Sequence, residues 1–172
     1  YSTHYDPLTI FLEHQRFNER YAKPLISLKP YLNERSPGRK LKIGYASPDF
    51  RRHSVVYFIE PILIQHDRTQ FELFCYYNHP KSDEVTLSLQ GYVDHWRDCF
   101  YWSDEELAAH IRQDQIDILV DLMGFTGNNR ILVLARKPAP VQMTYLGYSS
   151  TTGLTAIDYR LTDAYTDPEG SA

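Results

Sequence analysis

Leu41–Pro61 reads LKIGYASPDFRRHSVVYFIEP, and how these residues divide decides the fold. Leu41–Ser47 is a short apolar run, the pattern of a strand buried on both faces. Residues 55–66, VVYFIEPILIQH, read as a helix, with Pro61 either kinking it or ending it early. Between the two stand Asp49, Arg51, Arg52 and His53: an acid, two guanidinium groups and an imidazole. Such a join is either a solvated turn or a reaction site.

Working outward, the same alternation continues. Residues 71–78 (FELFCYYN) read as a strand, and residues 82–93 as a helix opened by Ser82 as N-cap, with Asp83 and Glu84 in its first turn. A short strand over 95–102 precedes a helix whose Ser103 and Glu106 form a capping box. Residues 116–124 (IDILVDLMG) are a buried strand, 128–137 a helix, 141–147 a strand and 158–163 a last short strand. Upstream, Pro7–Leu25 carries apolar residues near helical spacing and is expected to form one helix ending before Pro24. Residues 28–39 are proline-rich and polar, a linker. The expected organisation is a helical segment and linker over 1–40, then an α/β layer over 41–172. Strand–helix alternation at this spacing implies right-handed crossovers and a doubly wound parallel sheet.

Composition narrows the function. The chain has 172 residues, 42% of them hydrophobic and 23% charged, as in an ordinary globular protein. A net charge of −4 argues against a nucleic-acid module. No apolar run approaches the roughly 20 residues of a membrane helix, and Tyr1 opens no signal-peptide pattern. A cytoplasmic protein is expected, with Cys75 and Cys99 as reduced, buried thiols; a disulfide between them is the alternative. The abrupt ends suggest a piece of something longer.

In doubly wound sheets, ligands bind outside the carboxyl ends of the strands. Those ends are residues 47–53, 78–80, 121–129 and 146–153, rich in Gly, Ser, Thr, Asn and His. Asp49 could accept a proton or orient a water; the plain alternative is an N-cap of the following helix. His53 lies at the mouth of that helix, whose positive end would hold the imidazole neutral; the plain alternative is a surface histidine. Gly124, Thr126 and their neighbours could offer backbone N–H groups to a phosphate or sugar, or Thr126 or Asn128 could simply cap a helix. Gly147 and Gly153 bracket a hydroxyl-rich loop that a ligand could approach closely. No metal site is expected, since the seven histidines show no metal-binding spacing and His66, His79, His95 and His110 read as surface residues. Phosphate-cradling glycine motifs and a serine-hydrolase elbow are absent as well.

Three stretches, LKIGYASPDFRRHSVVYFIEP, IDILVDLMGFTGNNR and ARKPAPVQMTYLGYSSTTGLTAIDYRLTD, resemble in order and spacing the amino-terminal half of the catalytic region of the O-GlcNAc transferase/SPINDLY family, the family 41 glycosyltransferases. FLEHQRF resembles the helix that joins this family's tetratricopeptide repeats to that region. The resemblance implies the first Rossmann-like half of a two-domain GT-B enzyme. It implies inverting, metal-independent transfer of a sugar from a nucleotide-sugar donor to Ser or Thr hydroxyls of a protein acceptor, with no cofactor. The second half, which holds most of the nucleotide, and the repeats are expected outside this chain, which alone would not turn over.

Carried over position by position, Asp49 matches the family's acid, which helps deprotonate the acceptor through water. His53 matches the histidine that faces the donor sugar and phosphates. His4 resembles a further donor-side histidine, and Leu146, Gly147 and Ser149 match the backbone against the donor sugar. Arg52, Gly124 and Thr126 are expected on the acceptor or donor rim. This chain has Arg51-Arg52 where relatives of the animal enzyme have Gly-Asn, Val55 where they have Thr, Lys137 where they have Arg, and Ser149-Ser150 where they have Pro-Gly. HSVVYFIE and TTGLTAIDYRLTD stand closer to the SPINDLY branch, whose plant members use GDP-fucose. UDP-GlcNAc is the first expectation for the donor and GDP-fucose the second. A nucleotide-sugar epimerase of similar architecture and a non-catalytic interaction module are the competing readings.

Overall fold

The computed structural model describes residues 5–168. Leu41–Ser47 forms β1, buried from Ile43 onward. The chain then alternates: α2 (Val56–Gln65), β2 (Phe71–Tyr77), α3 (Glu84–Gln90), β3 (His95–Asp98), α4 (Asp104–Gln113), β4 (Ile118–Asp121), α5 (Ile131–Ala135), β5 (Val141–Tyr145) and β6 (Tyr159–Leu161), with α1 (Pro7–Phe17) in front. The six strands are parallel and lie in the order β3-β2-β1-β4-β5-β6. This is the strand order of Rossmann dinucleotide-binding sheets.

Alternate side chains on each strand serve different cores. Ile43, Tyr45, Leu73, Cys75, Tyr77 and Val120 pack with Val56, Ile59 and Leu63 of α2 and Leu89 of α3. Their neighbours Ala46, Phe74, Tyr76 and Leu119 pack with α4 and α5 through Leu107, Ile111, Val133 and Leu134. A sheet covered on both faces explains why its strands read as unbroken apolar runs. Both cysteines are buried and free, and burial pushes the Cys99 thiol up to about 12.

Ser103 and Glu106 form the expected reciprocal box at α4. The N-cap of α3 is Asp83 rather than Ser82, because Thr86 stands three residues beyond Asp83 and returns its hydrogen bond. α2 continues past Pro61 to Gln65; a proline there cannot donate to the carbonyl four residues back, that of Tyr57, which is an exposed residue. The first helix stops being α-helical at Phe17. It continues as a π turn over Asn18–Ala22 and a 3₁₀ turn over Lys23–Leu25 that includes Pro24. The wider turn buries Asn18 and Ala22, and the Asn18 carboxamide oxygen accepts the Thr155 N–H at 3.1 Å. Ala22 joins Ile131, Ala135 and Leu154 in a third apolar cluster.

The segment expected as a linker is fastened down. Arg39 makes a bidentate pair with Asp117, 2.6 Å through each nitrogen, and Asn33 and the Lys42 N–H complete the carboxylate's shell. Of the four histidines expected at the surface, none is fully exposed. His66 bonds the Tyr45 hydroxyl at 2.7 Å, His95 stacks on Phe74, and His110 stacks on Trp102. Among the described residues no helix is long and apolar enough to cross a membrane.

Candidate active site

Strand order reverses between β1 and β4, which opens a crevice at their carboxyl ends. A cleft of about 440 Å³ lies there, and Asp49, Arg51, His53, Thr126, Leu146 and Gly147 are among its walls. The loops after β1, β4 and β5 thus converge as the strand-end rule requires.

The β1 loop supplies the chemistry. Phe50 is wholly buried and anchors it. Asp49, Arg51 and His53 line the cleft on either side of that anchor. The Asp49 N–H donates to Ser47 Oγ at 3.0 Å, which fixes the turn. One carboxylate oxygen lies 3.3 Å from Arg51 Nη2 and the other 3.7 Å from His53 Nδ1. Asp49 is therefore not a helix cap; α2 begins behind Val55 with no side-chain cap. His53 Nδ1 accepts the Val55 N–H at 3.3 Å, so the neutral ring carries its proton on Nε2. The amino end of α2 lies just beyond, its partial positive charge beside the imidazole.

The β4 loop forms the opposite wall. Asp121 is fully buried, and its carboxylate accepts the Gly124 N–H at 2.7 Å and the Met123 N–H at 3.2 Å. Burial pushes this carboxyl up to about 6, against the two N–H donors. Thr126 Oγ1 donates to Met123 O, and Asn78 Nδ2 donates to Asn128 O from the end of β2. The position capping α5 is Arg130, so neither Thr126 nor Asn128 is the cap.

The β5 loop closes the cleft by close approach. A Cβ on Gly147 would lie 1.9 Å from Leu122 O, and one on Gly124, at φ +55°, 2.3 Å from Tyr148 Cβ. Tyr148 in turn hydrogen-bonds His14 Nε2 at 2.8 Å, which ties α1 to this wall.

The other expected residues are spread around this centre. Gly124 does not line the cleft but shapes it from behind, under Tyr148. Ser149 faces an adjoining hollow of about 370 Å³ between β5 and β6, which shares Phe58 and Leu146 with the cleft. Arg52 points away: its N–H donates to Asp83 and its guanidinium pairs with Glu84 on α3. His4 lies outside the described residues. Sequence reading passed over Arg51, which occupies the cleft position in place of its neighbour. The usable signal was the spacing, because 49, 51 and 53 fall on alternate positions about the buried Phe50. Among the described residues no group of three His, Cys, Asp or Glu could hold a metal ion.

Known proteins are similar to this chain in sequence and in fold. The family model for "Glycosyl transferase family 41" matches residues 24–172. The chain is 40% identical over 163 residues to the "Probable UDP-N-acetylglucosamine--peptide N-acetylglucosaminyltransferase SPINDLY" of Solanum lycopersicum, covering 92% of this chain and 18% of that protein. The corresponding SEC protein of Arabidopsis thaliana is 36% identical over 131 residues, covering 76% of this chain and 13% of its own. Among solved structures, a mutant O-GlcNAc transferase of Thermobaculum terrenum superposes with a TM-score of 0.92 at 43% identity, over 99% of this chain and 33% of that one. The chain thus spans less than a fifth of the curated relatives' length and a third of the solved structure. Matched over most of its length by sequence and by fold, the chain belongs to glycosyl transferase family 41.

Proposed function

We propose that this chain is the amino-terminal half of the catalytic region of a protein O-glycosyltransferase, which moves a sugar from a nucleotide-sugar donor to Ser or Thr hydroxyls with inversion. The observation that carries this reading is the cleft at the strand-order reversal, where a carboxylate and an imidazole of one loop stand 3.7 Å apart. The relatives are named as transferring N-acetylglucosamine from its UDP derivative to peptide, which makes UDP-GlcNAc the first donor. Asp49 receives the acceptor's proton through a water, and His53 hydrogen-bonds the donor through Nε2. Charge that develops on the leaving diphosphate is met by fixed donors and the α2 amino end. The reaction calls for no cofactor and no metal, and a second Rossmann-like half and upstream helical repeats complete the protein.

The test uses the full-length protein and a labelled donor. Asp49→Asn and His53→Ala should each lower kcat by roughly a hundredfold or more, and a chelator should leave turnover unchanged. Unchanged turnover in both variants would sink the site assignment. GDP-fucose, implied by the resemblance to the SPINDLY branch, is the alternative donor, although the SPINDLY relatives are themselves named for UDP-N-acetylglucosamine. Parallel assays with the two donors decide between them.

A further inference from the structure

Arg51 has no part in the chemistry given to Asp49 and His53, yet it lines the same cleft. Its hold on Asp49 is slack: one nitrogen, 3.3 Å from one oxygen, beyond the ~2.7–2.9 Å of a strong charge-assisted bond and far from a two-pronged fork. Its Nε is closed off from solvent and has no hydrogen-bond partner among the described residues. Most buried polar groups in folded proteins are hydrogen-bonded, so an unmatched donor calls for an explanation. The next residue shows what a committed surface arginine looks like here, with its guanidinium spent on Glu84.

We propose that Arg51 binds a phosphate oxygen of the donor's diphosphate and gives up Asp49 as it does so. This rests on the donor class in the preceding section. A planar guanidinium matches phosphate oxygens in a way that a lysine ammonium does not. The cleft lies at the strand-order reversal, where open α/β sheets bind phosphate-bearing ligands. The exchange keeps the cation paired throughout and uncovers Asp49 Oδ1 only when donor is in place. Arg51 is thus a donor-binding residue that also times the exposure of the base. His53 and Asp49 are the other ionisable groups in this cleft wall.

The experiment measures calorimetric affinity of the full-length protein for UDP and GDP, and for uridine and guanosine, which lack phosphate. Arg51→Gln should weaken binding of the preferred diphosphate roughly ten- to a hundredfold and leave the matching nucleoside unchanged. Arg51→Lys should recover only part of the loss, and thermal melts of both variants guard against misfolding. Equal diphosphate affinity in wild type and Arg51→Gln overturns the proposal and leaves the glycosyltransferase reading standing. So does a loss confined to the KM of the acceptor peptide, which would make Arg51 a contact for an acidic acceptor. An equal loss in Arg52→Gln would show long-range charge rather than contact. Failure of the wild type to bind any nucleotide overturns both this proposal and the function it rests on.

Discussion

Asp49 stands between two neighbours of its own loop, the Arg51 guanidinium on one oxygen and the His53 imidazole near the other. Both neighbours are supplied by the same five residues, so the arrangement is local and needs no tertiary accident. What the tertiary fold adds is the wall opposite, and there single glycines decide. Gly147→Ala would drive a Cβ into Leu122 O. We expect a loss of about 1–3 kcal/mol or more in urea unfolding, together with weakened donor binding, because the strand-end loops would be pushed apart. An unchanged urea midpoint would show that the loops are not in such close contact. Asp49 and His53 were legible as candidates because the strand-end rule singles out their loop. Arg51 was not. Two adjacent arginines look alike in sequence, and only the burial of Phe50 sorts one into the cleft and the other onto α3.

At the level of elements, the strands were the easiest to read, since two-sided burial writes them as apolar runs. The capping box of α4 was equally plain. The start of α3 was not, because Ser82 and Asp83 are both good caps. The choice depends on which has a partner three residues on, and Thr86 answers Asp83. The π turn left no mark in the sequence, since it exists to bring Asn18 against Thr155, 137 residues away. Asn18→Ala should cost about 1–3 kcal/mol by stranding the Thr155 N–H. Ser103→Ala, which removes one exposed cap, should cost about 1 kcal/mol. Chemical denaturation of the two variants side by side checks the order. A larger loss at Ser103 would contradict the tertiary role given to the π turn.

Over the whole molecule, strand order was the least legible property, and it places the cleft. Alternation predicts a parallel sheet, but which strands are neighbours follows from crossovers that no local pattern encodes. Stability also has a global signature in pH. Asp121 titrates at about 6 when folded and near 3.8 otherwise, so the folded state holds its proton more tightly. Its contribution is therefore full below about pH 4. It falls as pH rises towards 6, and levels off about 3 kcal/mol lower. Asp117 works in the opposite sense. Burial raises its carboxyl, but Arg39, the Lys42 N–H and Asn33 outweigh this and hold it low, so its contribution is lost in acid. Unfolding midpoints of Asp121→Asn and wild type, compared from pH 4 to pH 6.5, isolate the first effect. The variant should gain on the wild type as pH rises, and parallel curves would refute the buried, protonated acid.

The first helix and the π turn that continues it are joined to the rest by two contacts one turn apart, His14 to Tyr148 and Asn18 to Thr155. These two attachments tie the helical rod to both ends of one loop segment. The Tyr148–Thr155 segment, which continues directly from the cleft wall at Gly147, therefore has to travel with the rod. Mechanically the helix is a handle: its inner end and the loop at the mouth of the cleft move together.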